Sequence, residues 1–165
     1  MKAGHGTQSN HTPAGAPDTS GRLAVRVRYV ECDPMGVAHH ASYLPWLEMG
    51  RTELLRTSGV TYGQMEADGF FLVITRCELK YRRPIRYDDV IEVRTRVEGG
   101  SRIKIRHTYE LALIERNGMA PDATDPAVPV DGVCAVATTE LACVGGSGRP
   151  QQLPDWLVAP DAGDS

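Results

Sequence analysis

One stretch of helical periodicity, in a chain whose other apolar residues follow strand patterns, limits what this sequence can fold into. Apolar or small residues recur after four, three and four positions, which is the spacing of one face of an α-helix. The stripe consists of Tyr43, Leu47, Gly50 and Leu54. Pro45 lacks an N–H donor and therefore belongs in a first turn, and Gly59 suits the position just after a helix C-terminus. We predict one long helix over residues 42–58.

The remaining apolar residues favour β-strands. Alternating or near-continuous apolar runs are separated by segments rich in Gly, Pro and Asp, which is typical of strands and turns. The predicted strands cover residues 23–30, 70–81, 90–98, 103–115 and 133–144. Gly99 and Gly100 predict a tight hairpin between the third and fourth strands. One strand, one long helix and then four strands in a meander indicate an α+β fold, in which an antiparallel sheet of about five strands wraps around the helix.

The chain has 165 residues, which suits a single domain. Residues 1–21 are rich in Gly, Ser, Thr, Pro and His, and we expect a disordered N-terminal arm there. The domain is predicted over residues 22–158, followed by a flexible tail over 159–165. Residues 117–132 form a long inserted loop with three prolines and three aspartates, which we interpret as a mobile flap that could cover a site.

Composition narrows the classes of function. The formal net charge is −3, so no basic field favours nucleic acid as a partner. No apolar run reaches the roughly 20 residues of a membrane-spanning helix. The four cysteines show no paired spacing and lie within apolar runs, which indicates buried thiols and neither disulfides nor a metal site. We therefore expect a cytoplasmic protein that binds no metal.

Three polar residues between the first strand and the helix are candidates for chemistry. Asp33 lies in a turn just before the helix, whose first N–H groups carry partial positive charge. Its carboxylate could act as a nucleophile or as a general base on water. His40 at the helix start could offer its backbone N–H to an oxyanion and its ring to a carboxylate. Tyr29 could hold the carboxylate through its hydroxyl.

Each of these residues also has a plain structural interpretation. Asp33 precedes Pro and Gly and could simply form the turn. His40 could be an ordinary residue at a helix start, and Tyr29 alternates with valines and could lie in the core. From residue types and spacing alone, both sets of roles stay open.

The segment 28–43 carries a more specific signal. It reads RYVECDPMGVAHHASY and closely resembles the signature of the 4-hydroxybenzoyl-CoA thioesterase family, most of all the branch that includes the Tol–Pal-associated acyl-CoA thioesterases. The shared pattern is a Tyr, an Asp four residues on, a Gly-Val pair, a His seven residues after the Asp, and Ala-Ser-Tyr opening the helix. Similarity extends over residues 23–115 and resumes over 133–144.

The resemblance implies a hotdog fold that works as a homodimer or homotetramer, with the active site at a subunit interface. It implies an acyl-CoA substrate hydrolysed without metal or cofactor. Asp33 would be the catalytic carboxylate, with His40 and Tyr29 in its network. Gly36 and Val37 would be substrate-binding residues of the motif.

Basic residues near the entrance would suit the phosphates of CoA. We predict this role for Arg82 and Arg83, which lie beside a Pro-containing bend at a strand end. The alternative is a solvated cluster in which the arginines pair with Asp88 and Asp89. His39 departs from the family pattern, which commonly has an aromatic residue there.

Two other functions remain compatible with the sequence. A thioesterase of the same fold could act on acyl carrier protein, because the pantetheine arm is shared with CoA. A hotdog protein could also bind acyl thioesters, or serve as a scaffold, without catalysis.

Overall fold

A computed structural model describes residues 11–158. Five strands, two α-helices and three short 3-10 turns make up this part of the chain. In chain order they are β1 (Ser20–Arg26), 3-10 turns at Tyr29–Glu31 and His40–Ser42, α1 (Tyr43–Thr57), α2 (Tyr62–Ala67), β2 (Phe71–Tyr81), β3 (Val90–Ser101), β4 (Lys104–Glu115), β5 (Val133–Val144) and a 3-10 turn at Asp155–Leu157. The predicted long helix and five strands are confirmed, with bounds that differ by a few residues.

The strands form one antiparallel sheet in the order β1-β3-β4-β5-β2. The predicted four-strand meander is therefore wrong for β2, which pairs with β5 at the far edge and not with β3. The connection over residues 82–89 explains the difference, because it is longer than the roughly two to five residues of a hairpin loop. It lets the chain cross from β2, at one edge of the sheet, to the position between β1 and β4 that β3 occupies.

The pair Gly99 and Gly100 forms a bulge and not the predicted hairpin turn. Strand β3 continues to Ser101, which pairs with Lys104, so that residues 102–103 make the turn. The register of β3 on β4 shifts just before Gly100. Gly99 has a φ of 94°, and a Cβ atom on Gly100 would lie 2.0 Å from the Lys104 carbonyl oxygen. The two glycines are needed for the backbone of this bulge.

Helix α1 packs on β1 and β3 and buries its apolar face. Trp46 and Leu47 are almost completely buried. Gly50 marks the closest approach, because a Cβ there would lie 2.5 Å from Thr95 Oγ1 and 2.9 Å from Val93 Cγ1. The helical stripe read from the sequence therefore does face the sheet. No helix in the described part of the chain is long and apolar enough to cross a bilayer.

The N-terminal segment joins the sheet earlier than the sequence indicates. Strand β1 begins at Ser20, three positions before the predicted start. The N–H of His11 donates to Asp68 Oδ2 at 2.6 Å, and the N–H of Asp18 donates to Ser58 Oγ at 3.0 Å. Residues 1–10 of the predicted arm and the predicted tail over 159–165 lie outside the described residues.

Candidate active site

The loop after β1 folds back on itself and fixes the position of Asp33. The Asp33 N–H donates to the Val37 carbonyl, and the Gly36 N–H donates to the Asp33 carbonyl, both at 2.9 Å. Gly36 has a φ of 75°, which favours glycine in this tight turn. The Ala38 N–H donates to the Ile85 carbonyl at 2.7 Å. These bonds anchor the loop to the segment that follows β2.

The Asp33 carboxylate uses only part of its hydrogen-bonding capacity. Its Oδ1 accepts the Met35 N–H at 2.9 Å, as in a turn in which Asp binds the backbone two residues on. Its Oδ2 has no hydrogen-bond donor within residues 11–158, and the side chain is only half-buried. The turn interpretation is therefore correct for one oxygen, while the other stays available to water or a ligand.

Glu31 organises this region, a role that the sequence analysis does not assign to it. Its side chain is buried and accepts three hydrogen bonds: from the Arg28 N–H at 2.7 Å, from Arg28 Nη2 at 2.9 Å and from Trp46 Nε1 at 3.0 Å. Burial by itself raises the pKa of Glu31, but the bonds from Arg28 and Trp46 outweigh it and leave this pKa below its ordinary value. The available signal in the sequence was the spacing of three positions between the oppositely charged Arg28 and Glu31.

The backbone of Glu31 also holds the start of the helix. Its carbonyl accepts the His39 N–H and the Ser42 hydroxyl, both at 2.8 Å. The carbonyl of His40, the residue after His39, accepts the Tyr81 hydroxyl at 3.2 Å. The His40 N–H has no acceptor within residues 11–158. It is therefore a free backbone donor beside the loop that carries Asp33, although α1 itself begins only at Tyr43.

The two neighbouring histidines lie at the surface, and their ring centroids are 4.0 Å apart. His39 Nδ1 accepts the Ala41 N–H at 3.2 Å, so this ring caps the 3-10 turn. In the described range 11–158, no three His, Cys, Asp or Glu side chains are grouped so that they could hold a metal ion.

An aromatic cluster lies behind the helix start. The Tyr43 ring packs against Trp46 at a centroid distance of 5.1 Å and edge-on against Tyr81 at 4.9 Å. Tyr43 is buried, and burial raises its pKa well above the ordinary value. Its hydroxyl therefore stays protonated at neutral pH.

The structure does not bring Tyr29 to Asp33 within one chain. Tyr29 is 81% exposed, and its ring lies edge-on to Tyr87 at a centroid distance of 5.7 Å. The interpretation of Tyr29 as a core residue is wrong, because its alternation with valines stops at the 3-10 turn. Gly36 is exposed, and Val37 forms a backbone bridge with Arg86.

Arg82 and Arg83 lie exposed at the predicted bend. Both backbone N–H groups donate to the Cys134 carbonyl, at 2.8 and 3.0 Å. Arg82 Nη1 contacts Asp131 Oδ2 at 2.8 Å, and Arg83 Nη1 donates to the Arg82 carbonyl at 2.9 Å. Within residues 11–158, no carboxylate pairs with Arg83.

The alternative interpretation, in which these arginines pair with Asp88 and Asp89, is wrong. Asp88 pairs with Arg26 at 3.2 Å. Asp89 is buried and accepts from Arg116 Nε at 2.9 Å, from Arg116 Nη2 at 2.8 Å and from the Arg86 N–H at 2.7 Å. This ion pair holds the bend through a residue at the end of β4, a contact that local sequence does not reveal.

Comparison with known proteins identifies the family. Residues 27–160 match the model of the thioesterase-like superfamily, which covers most of the chain. The chain belongs to this superfamily. The matched range contains both the Asp33 loop and the bend with Arg82 and Arg83.

Two relatives illustrate the relationship. The chain is 34% identical over 87 residues to the putative acyl-CoA thioesterase YneP of Bacillus subtilis, covering 53% of this chain and 63% of YneP. It is 36% identical over 76 residues to the acyl-CoA thioester hydrolase YbgC of Escherichia coli O157:H7, covering 46% of this chain and 57% of YbgC. The matches thus span less than two thirds of these relatives.

The crystal structure of DHNA-CoA thioesterase from Staphylococcus aureus superposes with a TM-score of 0.68 at 26% identity, covering 81% of this chain and 80% of that one. The predicted hotdog fold is confirmed. So is the predicted resemblance to acyl-CoA thioesterases.

Proposed function

We propose that this protein hydrolyses acyl-CoA thioesters to the free acid and CoA, with Asp33 as the catalytic carboxylate. The observation that carries the proposal is the half-free Asp33 carboxylate, held by its own loop, which leads to the open His40 N–H seven residues later. Membership in the thioesterase-like superfamily and the similarity to YneP and YbgC support the substrate class.

The geometry suits attack on a thioester carbonyl. As a general base, Asp33 takes a proton from water, and the resulting hydroxide attacks the carbonyl carbon. As a nucleophile, it attacks that carbon directly and forms an anhydride that water then opens. In either route we assign the stabilisation of the oxyanion to the His40 N–H, and loss of such a donor costs on the order of 3 kcal/mol. Collapse of the intermediate releases the CoA thiolate, which regains a proton.

The remaining site residues are assigned to substrate binding. Arg82 and Arg83 are exposed guanidinium groups on an anchored backbone, suited to the phosphates of CoA. Gly36 and Val37 form the turn beside Asp33, where the thioester has to pass. His40 and Tyr29 are assigned to the surroundings of the carboxylate.

An exposed edge strand supports a homodimer. One side of β2 pairs with β5, while its other side has no strand partner within residues 11–158. Val73, Ile74 and Tyr81 lie exposed along this strand of eleven residues. A long apolar edge is a template for pairing with another strand. We infer that two copies pair through β2, which gives each site a wall from its partner; a homotetramer would be a pair of such dimers.

The oligomer can be tested by mass. Light scattering after size-exclusion chromatography at micromolar concentration should give twice or four times the chain mass. Ile74→Lys, which places a charge on the β2 edge, should shift the protein toward monomer and lower activity. A fully active monomer would contradict this part of the proposal. A cytoplasmic location and the absence of a cofactor stay predictions from the sequence.

The decisive test is a hydrolysis assay with acyl-CoAs of graded chain length, compared with the same acyl groups on acyl carrier protein. Higher kcat/KM on CoA supports the proposal. Higher kcat/KM on the carrier protein favours the second candidate, for which the exposed Arg82, Arg83 and Arg86 would be a contact surface for an acidic protein. Binding of acyl-CoA without turnover would instead indicate a non-catalytic binding protein.

A further inference from the structure

The inserted loop over residues 117–132 is attached to the domain at several points. It opens with a tight turn in which Arg116 and Met119 exchange backbone hydrogen bonds. Val128 packs against the main core, and Asp125 Oδ2 lies 3.8 Å from Arg116 Nη1. Its last charged residue is Asp131, which reaches the bend beside the candidate site.

The contact between Asp131 and Arg82 is well defined on both sides. Asp131 Oδ2 lies 2.8 Å from Arg82 Nη1, while Asp131 Oδ1 accepts the Val133 N–H at 3.0 Å. The Arg82 backbone is fixed in turn to Cys134, the neighbour of Val133. The guanidinium of Arg82 and the Val133 N–H lower the pKa of Asp131, which keeps its carboxylate charged at neutral pH.

We propose that Asp131 is a specificity-determining residue, whose carboxylate occupies Arg82 in the free protein and competes there with a phosphate group of CoA. The inference rests on the proposed function, in which Arg82 binds that phosphate. Carboxylate and phosphate present similar oxygens to a guanidinium, and the phosphate carries more charge. Both partners are about half exposed, so the pair is weak and a phosphate can displace it.

The adjacent Arg83 provides the contrast. Its guanidinium donates to a backbone carbonyl and, within the described residues, pairs with no carboxylate. Asp131 therefore weakens the binding of CoA at one of two neighbouring arginines. Acyl groups on carriers without a phosphate, such as pantetheine, gain nothing at Arg82 and do not have to displace Asp131.

Calorimetric titration of the whole chain with CoA and with pantetheine tests the competition. Asp131→Asn keeps the acceptor for the Val133 N–H and removes the charge, so it should bind CoA about threefold more tightly. Its affinity for pantetheine should not change. Asp122→Asn is the matched control, because Asp122 lies in the same loop and accepts from Thr124, not from an arginine. The control should leave both affinities unchanged.

A double variant separates competition from a general effect of charge. Arg82→Gln should weaken CoA binding, and adding Asp131→Asn to it should have no further effect. A gain from Asp131→Asn that persists without Arg82 would overturn the proposal, as would unchanged or weaker CoA binding by Asp131→Asn alone. Tight CoA binding with no hydrolysis of any acyl-CoA would refute the proposed function, while the titrations would still decide the role of Asp131.

Discussion

Two carboxylates two positions apart, in the 3-10 turn Tyr29–Glu31 and in the loop that follows it, have opposite environments. Glu31 is 7% exposed and accepts three hydrogen bonds from side-chain and backbone donors. Asp33 is half-buried and accepts one, from the Met35 N–H. The backbone shows the same contrast, because the His39 N–H is bonded to the Glu31 carbonyl while the His40 N–H is open.

The difference separates stabilising groups from reactive ones. A buried carboxylate that already accepts three of about four possible hydrogen bonds has little capacity left for a substrate or water, but its removal leaves the Trp46 donor buried without a partner. A half-free carboxylate contributes less to stability and can accept a proton from water. Glu31 therefore provides a fixed frame for the roles proposed for Asp33 and the His40 N–H, and substitutions should separate its role from theirs.

The largest expected effect is the loss of turnover on Asp33→Asn. Asparagine keeps the shape and the acceptor for the Met35 N–H but lacks the basicity. We expect kcat to fall by at least ~10²-fold, about 2.7 kcal/mol of barrier, with unfolding and acyl-CoA affinity little changed. Steady-state kinetics on the best acyl-CoA, with a urea titration beside it, measures both. Near-normal kcat would refute the assignment of Asp33.

The second effect concerns the open N–H of His40. His40→Ala keeps the backbone donor and should lower kcat by about tenfold, less than Asp33→Asn does. His40→Pro removes the N–H at the first residue of the 3-10 turn, where proline is tolerated, and should lower kcat by about 10². The comparison of kcat for these two variants measures the donor itself. Equal losses would mean that the ring and not the N–H matters.

The third effect is on stability. Glu31→Gln replaces one acceptor oxygen by a donor that faces Arg28 and Trp46, and should lower the free energy of unfolding by about 2 kcal/mol. Glu48→Gln is the control, because the exposed Glu48 carboxylate pairs with Arg51 on the same helix. It should change the free energy of unfolding by less than about 0.5 kcal/mol. Urea unfolding followed by tryptophan fluorescence gives both values.

The acid dependence of stability provides an independent check on Glu31. The pKa of Glu31 is lowered in the folded protein, so its stabilisation is present above the ordinary glutamate pKa of about 4.3 and is lost as the pH falls through the folded value. The free energy of unfolding of Glu31→Gln should therefore fall less with decreasing pH than that of the wild type. A variant that loses stability with falling pH as steeply as the wild type would show that other carboxylates account for it.

Periodicity predicted α1, β3, β4 and β5 because each buries one face, and burial on one face is visible along the sequence. The position of β2 was not predictable in this way, since its pairing with β5 joins residues that are 73 positions apart at one end (Phe71 and Val144) and 54 at the other (Tyr81 and Ala135). Likewise, Gly99 and Gly100 suit either a turn or a bulge, and only the register of β3 on β4 distinguishes the two.

At the site, the sequence located Asp33 and the helix start through a recognisable motif. It did not reveal Glu31, because Trp46 donates to it from fifteen positions away across the packed helix. The ion pairs expected at the bend were also wrong, because Asp89 binds Arg116, which is 27 positions away in sequence and directly follows the neighbouring strand β4. Charged neighbours along the chain are poor guides to pairing when the partners come from different strands.

The smallest expected effect tests whether a highly exposed residue contributes to catalysis. Tyr29 is 81% exposed, contacts Tyr87 and, within residues 11–158, has no hydrogen bond to Asp33. If its hydroxyl only positions the carboxylate, Tyr29→Phe should lower kcat by less than about threefold, with Tyr87→Phe as the control that leaves kcat unchanged. A loss above tenfold for Tyr29→Phe would place the hydroxyl at the reacting centre of the proposed dimer. The comparison of Glu31 with Asp33 would then have to include residues of a second chain. That chain would complete the hydrogen bonding of Asp33, which one chain leaves incomplete.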